Sequence, residues 1–355
     1  MRLADGKQLW QRTFKATHFT ESTSEVAHAA STPVIDQEHV YALLDDGQCV
    51  ALTHDGTVAW IRSLANDYGK IESLYGLTAS LAQDEASVFA LIDHDGPSYL
   101  VALNKKTGKV AWREQRPIGA SLSSPSVLTI DGVPQIVVSA EGAVISYSTI
   151  NGRPLWTATD LAGNSITTPQ LFSGRRILVG ACSNQGGDHL FRALSSNLTL
   201  EVSWKERKWE VTTAWYADNA MANFASPIAD EDVAYWVCKS GRVTALDAKT
   251  GEQLFSEELA EPCWATPLAV GDHVYFFGRD GATTVLAQGR TFKTIAVNRL
   301  WNQHKHREVS SRDDAKIAVE DDPFFESPVQ YSVAAVDGIF LIRSGKAVHC
   351  ISSGN

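Results

Sequence analysis

An all-β propeller of seven four-stranded antiparallel blades is the fold this sequence predicts, and three observations predict it. A glycine stands four residues before a tryptophan at Gly6/Trp10, Gly56/Trp60, Gly108/Trp112 and Gly152/Trp156, with Gly251/Phe255 as an aromatic variant. A Ser or Thr precedes proline at Pro33, Pro125, Pro169, Pro227, Pro267 and Pro328, and Ala79 fills the one missing place. These marks lie 46, 46, 44, 58, 40 and 61 residues apart. Between them apolar residues alternate, as at Val40, Ala42 and Leu44 or Val50 and Leu52, which marks strands rather than helices. A strand-rich unit recurring about every 45 residues reads as a propeller blade.

The first complete unit shows why each element forms. "TPVID", "QEHVYALLD", "GQCVALT" and "TVAWIRSL" read as successive strands. Asp46-Gly47, Asp55-Gly56, Asp95-Gly96 and Asn151-Gly152 supply tight turns that need positive φ. The proline suits a first strand, where one backbone donor can be spared. The tryptophan falls on the outermost strand, where it can wedge between two blades while its indole N–H finds a backbone acceptor. Each such ring removes roughly 150–250 Å² from water, worth at most about 4–6 kcal/mol. Gly6, Trp10, Gly56, Trp60, Gly108, Trp112, Gly152, Trp156, Trp204, Gly251 and Phe255 are therefore expected as structural docking residues.

Inner strands begin near residues 32, 78, 124, 168, 226, 266 and 327, giving seven units in one domain over residues 1–355. The last unit stops after three strands, while "LADGKQLWQRTF" at the N-terminus reads as an orphan fourth strand. Pairing the two ends would close a monomeric ring and leave no open edge. Insertions over about 205–223 and 299–325 break the period.

Composition narrows the function. A net charge of −10 argues against nucleic acid and against an anionic membrane surface. No apolar run approaches the roughly 20 residues of a membrane-spanning helix, and "MRLADGKQLW" lacks the apolar stretch of a signal peptide. The five cysteines, Cys49, Cys182, Cys238, Cys263 and Cys350, lie at least 25 residues apart, so none has metal-ligand or redox-motif spacing, and buried free thiols are expected.

The repeats resemble the quinoprotein-like, pyrroloquinoline-quinone-type β-propeller family over nearly the whole chain. "ALNKKTGKVAW" (102–112) and "ALDAKTGEQLF" (245–255) carry the resemblance, matching the family's A-x-D-x-x-T-G-x-x-x-W tryptophan-docking pattern. It is closest to the non-enzymatic branch, which includes a propeller subunit of the bacterial outer-membrane assembly machine and other exported proteins. The resemblance implies an extracytoplasmic, non-catalytic scaffold that binds a protein or peptide, and leaves a shortened eight-bladed ring as an alternative architecture. The enzymatic branch would bind the quinone above a calcium ion in the central channel. This chain lacks that branch's adjacent cysteine pair and shows no convincing calcium-and-base set, so no cofactor is expected. A quinone-dependent dehydrogenase, or a small-molecule or carbohydrate binder with its site over the channel, remains the alternative function.

Loops on a rigid scaffold carry recognition. Trp209, Trp215 and Tyr216 in the first insertion and His304 and His306 in the second are the candidate binding residues. Glu72, Asn223, Trp264 and Glu326 precede the marked strands and are candidates for lining one mouth of the channel. Asp93-His94-Asp95-Gly96 could in principle hold a hard cation but reads more simply as a solvated turn. Asn184-Gln185-Gly186-Gly187-Asp188 has no following helix or lysine in the pattern of a phosphate loop, and reads as a hairpin tip. No catalytic residues and no metal site are predicted.

Overall fold

The computed structural model describes residues 1–3, 5–17, 31–73, 76–116, 121–182, 188–230, 232–300, 330–344 and 347–352. The fold is a seven-bladed β-propeller, all-β, with its described residues in two compact units, Met1–Tyr216 and Ala217–Asn355.

The first unit holds four sheets, each a four-stranded antiparallel meander. They are β1 (Val34–Ile35), β2 (His39–Leu43), β3 (Gln48–Thr53) and β4 (Val58–Ser63); β5 (Ala82–Gln83), β6 (Ser87–Ile92), β7 (Tyr99–Asn104) and β8 (Val110–Gln115); β9 (Ser126–Ile130), β10 (Val133–Ala140), β11 (Ala143–Ser148) and β12 (Pro154–Ala158); and β13 (Gln170–Phe172), β14 (Arg176–Val179), β15 (Leu198–Lys205) and β16 (Lys208–Tyr216). The second unit holds β17 (Ile228–Ala229), β18 (Val233–Val237), β19 (Arg242–Asp247) and β20 (Gln253–Glu258). It continues with β21 (Leu268–Val270), β22 (His273–Phe277), β23 (Ala282–Ala287) and β24 (Thr294–Arg299). A last sheet of β25 (Gln330–Val336), β26 (Ile339–Ser344) and β27 (Ala347–Ser352) has three strands among the described residues. In the segment 3–14, expected as an orphan fourth strand, the described residues form no regular strand.

Middle strands such as β6 and β18 are buried at every position, whereas the outer β8 alternates between half-buried and exposed. A sheet covered on both faces needs unbroken apolar runs in its middle strands, and "SVFALI" and "VAYWV" provide them. The cores form between successive sheets. Leu43 and Ala51 of the first pack with Val88 and Val101 of the second, and Val233 and Tyr235 pack with Val274 and Phe276 in the second unit.

The third-to-fourth strand pairing carries a register shift in six sheets, at Ala51/Leu52, Ala102/Leu103, Ser146/Tyr147, Thr199/Leu200, Ala245/Leu246 and Val285/Leu286. Such a bulge re-aims the side chains beyond it. It leaves Trp60 opposite Ala51 and Trp112 opposite Ala102, which explains the small residue that recurs in the "AL" of each repeat.

Two local expectations are corrected. The segment 205–223 is mostly not an inserted loop. Residues 208–216 are the long strand β16, joined to β15 by the two-residue turn Glu206-Arg207. Of the expected hairpin tip, residues 184–187 lie outside the described residues, and at Asp188 a helix begins, α2 (Asp188–Leu194), the other helix among the described residues being α1 (Leu64–Tyr68). The end of α2 is held by the buried Asn197 amide, which donates to the carbonyls of Ala181, Ala193 and Leu194.

Candidate interaction surfaces

The turn glycines explain what the tryptophans do. Trp10 lies against Gly56, Trp60 against Gly108 and Trp112 against Gly152, each glycine with positive φ. A Cβ built on these glycines would fall 2.6, 2.7 and 2.5 Å from the nearest ring carbon, so only glycine admits the ring. Each indole Nε1–H then donates to a carbonyl of the same turn: to His54 at 2.8 Å, to Lys105 at 2.7 Å and to Thr149 at 2.9 Å. Each of these three rings thus rests on the turn glycine of the sheet that follows it in the chain.

The series has limits. A Cβ on Gly6 would meet nothing within 4 Å, so Gly6 seats no ring among the described residues. Trp156 is 5% exposed but donates to the Gln135 side chain of its own sheet. Trp204, expected as a spacer, instead stands 48% exposed beside the β15–β16 turn. Gly251 has φ +77, and Phe255 packs edge-on against Phe292 at 5.6 Å in place of an indole.

The candidate binding residues divide by environment. Trp215 is 7% exposed and Asn223 5%, so neither offers itself to a partner, and the Asn223 Oδ1 accepts from the Lys239 amide. Tyr216 is 53% exposed at the end of β16. Trp209 is half-buried and meets Trp204 edge-on at 5.2 Å as its cross-strand partner. In the second unit Trp264 is half-buried, with the exposed Phe224 ring 5.0 Å away and the Arg279 guanidinium over its face at 5.2 Å. His304, His306 and Glu326 lie outside the described residues.

The β15–β16 tip is fixed from the neighbouring sheet. The Trp204 amide donates to Asp131 Oδ2 at 2.8 Å, and Arg175 Nε donates to Asp131 Oδ1. Glu206 (φ 49) and Arg207 (φ 66) both occupy left-handed conformations that Asn-Gly would adopt without strain. Lys205 and Lys208 pair with Glu210 beside them. Sequence reading missed Asp131, Phe224 and Arg279, since no local pattern links positions 15 to 73 residues apart.

The turn Asp93-His94-Asp95-Gly96 is not a solvated cation loop. Asp93 is buried and ion-paired two-pronged with the buried Arg116, at 2.7 and 2.9 Å, and Arg116 also donates to the Tyr147 hydroxyl. Burial pushes the Asp93 carboxyl up, against the pull of Arg116, and burial likewise raises the Tyr147 phenol. His94 is buried too, its Nδ1 accepting from the amides of Glu72 and Gly96. Glu72 itself is exposed and contributes its carbonyl to the Asp95 amide. Among the described residues no three His, Cys, Asp or Glu side chains come together as metal ligands. Of the cysteines, Cys49 and Cys263 are buried, with thiols pushed up to about 12 by burial, whereas Cys182 and Cys238 are half-buried and Cys350 is exposed on β27.

Comparisons with known proteins agree with this architecture. The chain is similar to the outer membrane protein assembly factor BamB of Moranella endobia (strain PCIT), 25% identical over 181 residues, 51% of this chain and 42% of that protein. It is similar to the BamB of Yersinia pestis, 28% identical over 164 residues, 44% of this chain and 38% of that protein. The alignments therefore span less than half the length of these relatives. The crystal structure of BamB from Moraxella catarrhalis superposes with a TM-score of 0.62, covering 89% of this chain and 82% of that one at 13% identity, which speaks for the fold alone. The family model described as outer membrane protein assembly factor BamB matches residues 1–99 and 97–315. On that match the chain belongs to the BamB family of propellers built from pyrroloquinoline-quinone-type repeats.

Proposed function

We propose that this protein is a non-catalytic propeller that binds other proteins on the extracytoplasmic side of a bacterial cell, in the assembly of outer-membrane proteins. Its family and the names of its relatives support the setting. The observation that carries the binding reading is the β15–β16 tip, where Trp204 is 48% exposed against Trp209 and beside the exposed Arg207. Trp and Arg are the residue types that dominate protein-interface energies, and here they stand on a turn anchored by Asp131. The turn keeps Glu206 and Arg207 at positive φ, at about 1–2 kcal/mol each, where Asn-Gly would relax it.

The test is complementation in a host lacking the gene, read as the abundance of outer-membrane β-barrel proteins. Wild type restores it, and Trp204→Ala does not, although the purified variant stays folded and loses only about 1–2 kcal/mol in urea unfolding, mainly the ring pair with Trp209. Full restoration by Trp204→Ala overturns the assignment of this tip. A host whose outer-membrane proteins are unaffected by loss of the gene overturns the assembly role itself.

A further inference from the structure

A second site lies one interface away from the docked tryptophans, between β12 and β16. In the three preceding interfaces an indole fills the gap by resting on a turn glycine. Here the turn is Glu206-Arg207, with no glycine to receive a ring, and Trp156 is turned back onto Gln135. Farther along the same pair of strands, at the end of the hairpin away from that turn, lies a cavity of about 430 Å³, open to solvent. That is within the range of small-molecule sites, about 300–1,000 Å³.

Its lining has a definite chemistry. Leu161, Leu198 and Leu200, all buried, form an apolar floor. Thr157 on one side and Thr213 on the other present hydroxyls that have no hydrogen-bond partner among the described residues. Asp160 and the 53% exposed ring of Tyr216 stand at the margin. No lysine, arginine or histidine lines the cavity, so a phosphate or carboxylate would have no counter-charge there. A purely apolar ligand would leave the threonine hydroxyls and Asp160 facing it without partners.

We propose that this cleft binds a neutral saccharide. A pyranose has the matching dual character: its C–H face packs on the leucine floor and the Tyr216 ring, while its hydroxyls both donate and accept at Thr157, Thr213 and Asp160. The site is independent of the Trp204 tip and does not depend on the protein-binding role.

Saturation-transfer NMR on the full chain tests it, with N-acetylglucosamine, its β-1,4-linked disaccharide and maltose as probes. The expected result is transfer to ring protons of at least one probe, with a Kd of about 1–10 mM. Tyr216→Ala and the double variant Thr157→Val/Thr213→Val each weaken it about tenfold or more, while Tyr216→Phe, which keeps the ring, retains binding. These residues are exposed, so the variants should keep the wild-type far-UV spectrum. No transfer from any probe at about 10 mM, roughly the weak limit of the expected Kd, overturns the proposal. So does transfer that Tyr216→Ala and the threonine pair leave unchanged.

Discussion

Replacing Gly108 by alanine measures how much one docked ring contributes. Gly108 has φ +66, and its new Cβ would sit 2.7 Å from Trp60 Cδ2. The left-handed conformation alone costs an L-residue about 1–2 kcal/mol. Relieving the clash moves the indole off the turn, which loses the 2.7 Å hydrogen bond to the Lys105 carbonyl, about 1 kcal/mol net. Re-exposing about 40–80 Å² of ring adds about 1–2 kcal/mol. The sum is about 3–5 kcal/mol. Gly174→Ala is the control, because Gly174 has φ +75 but a Cβ there meets nothing within 4 Å, so it carries the backbone cost only. Urea unfolding of both variants, compared at equal slope, should place Gly108→Ala about 2–3 kcal/mol below the control. In a Trp60→Ala background the excess should vanish, since no ring remains to be displaced. Equal losses for the two glycine variants would refute the docking account.

Two further outcomes follow from the ionic groups. Arg116→Met leaves the Asp93 carboxylate buried without a partner and should cost about 3–5 kcal/mol, while Asp93→Leu/Arg116→Met should recover most of that loss in the same urea assay. Asp247 titrates at about 2, held down by the hydrogen bond from Arg290, against burial and with help from the amides of Thr250 and Lys249. Because the folded value lies below the unfolded one, its stabilisation is complete above about pH 4 and drains away as pH falls toward about 2. Asp247→Asn should flatten the urea midpoint over that window, and an unchanged acid limb would contradict the assignment.

The blades were legible because two independent constraints repeat together. A left-handed turn that must admit a ring demands glycine, and the tryptophan four residues later on the outer strand supplies the ring that rests on the following sheet's turn. Where the constraint is not local, the pattern misled. Trp156 sits in the same wording as Trp60, but whether it finds a seat depends on the next sheet's turn, some fifty residues away. Trp204 had plausible spacing, yet the register of β15 with β16 puts it opposite Trp209 at the tip. Helix α2 was missed because seven residues, "DHLFRAL", show too few turns for a period, and its end depends on the buried Asn197. The turn at Asp93 looked solvated because its counter-ion, Arg116, lies 23 residues on with nothing between to announce it.

The docked rings all point the same way along the chain. Trp10, Trp60 and Trp112 find their acceptors 44, 45 and 37 residues downstream. As the polypeptide emerges during synthesis, each finished sheet must wait for its successor before its last side is sealed. Construction is therefore sequential and one-directional, with a single unlatched wedge at the growing front. An interruption would expose one aromatic face rather than many, and the separations are short enough for closure to keep pace with translation.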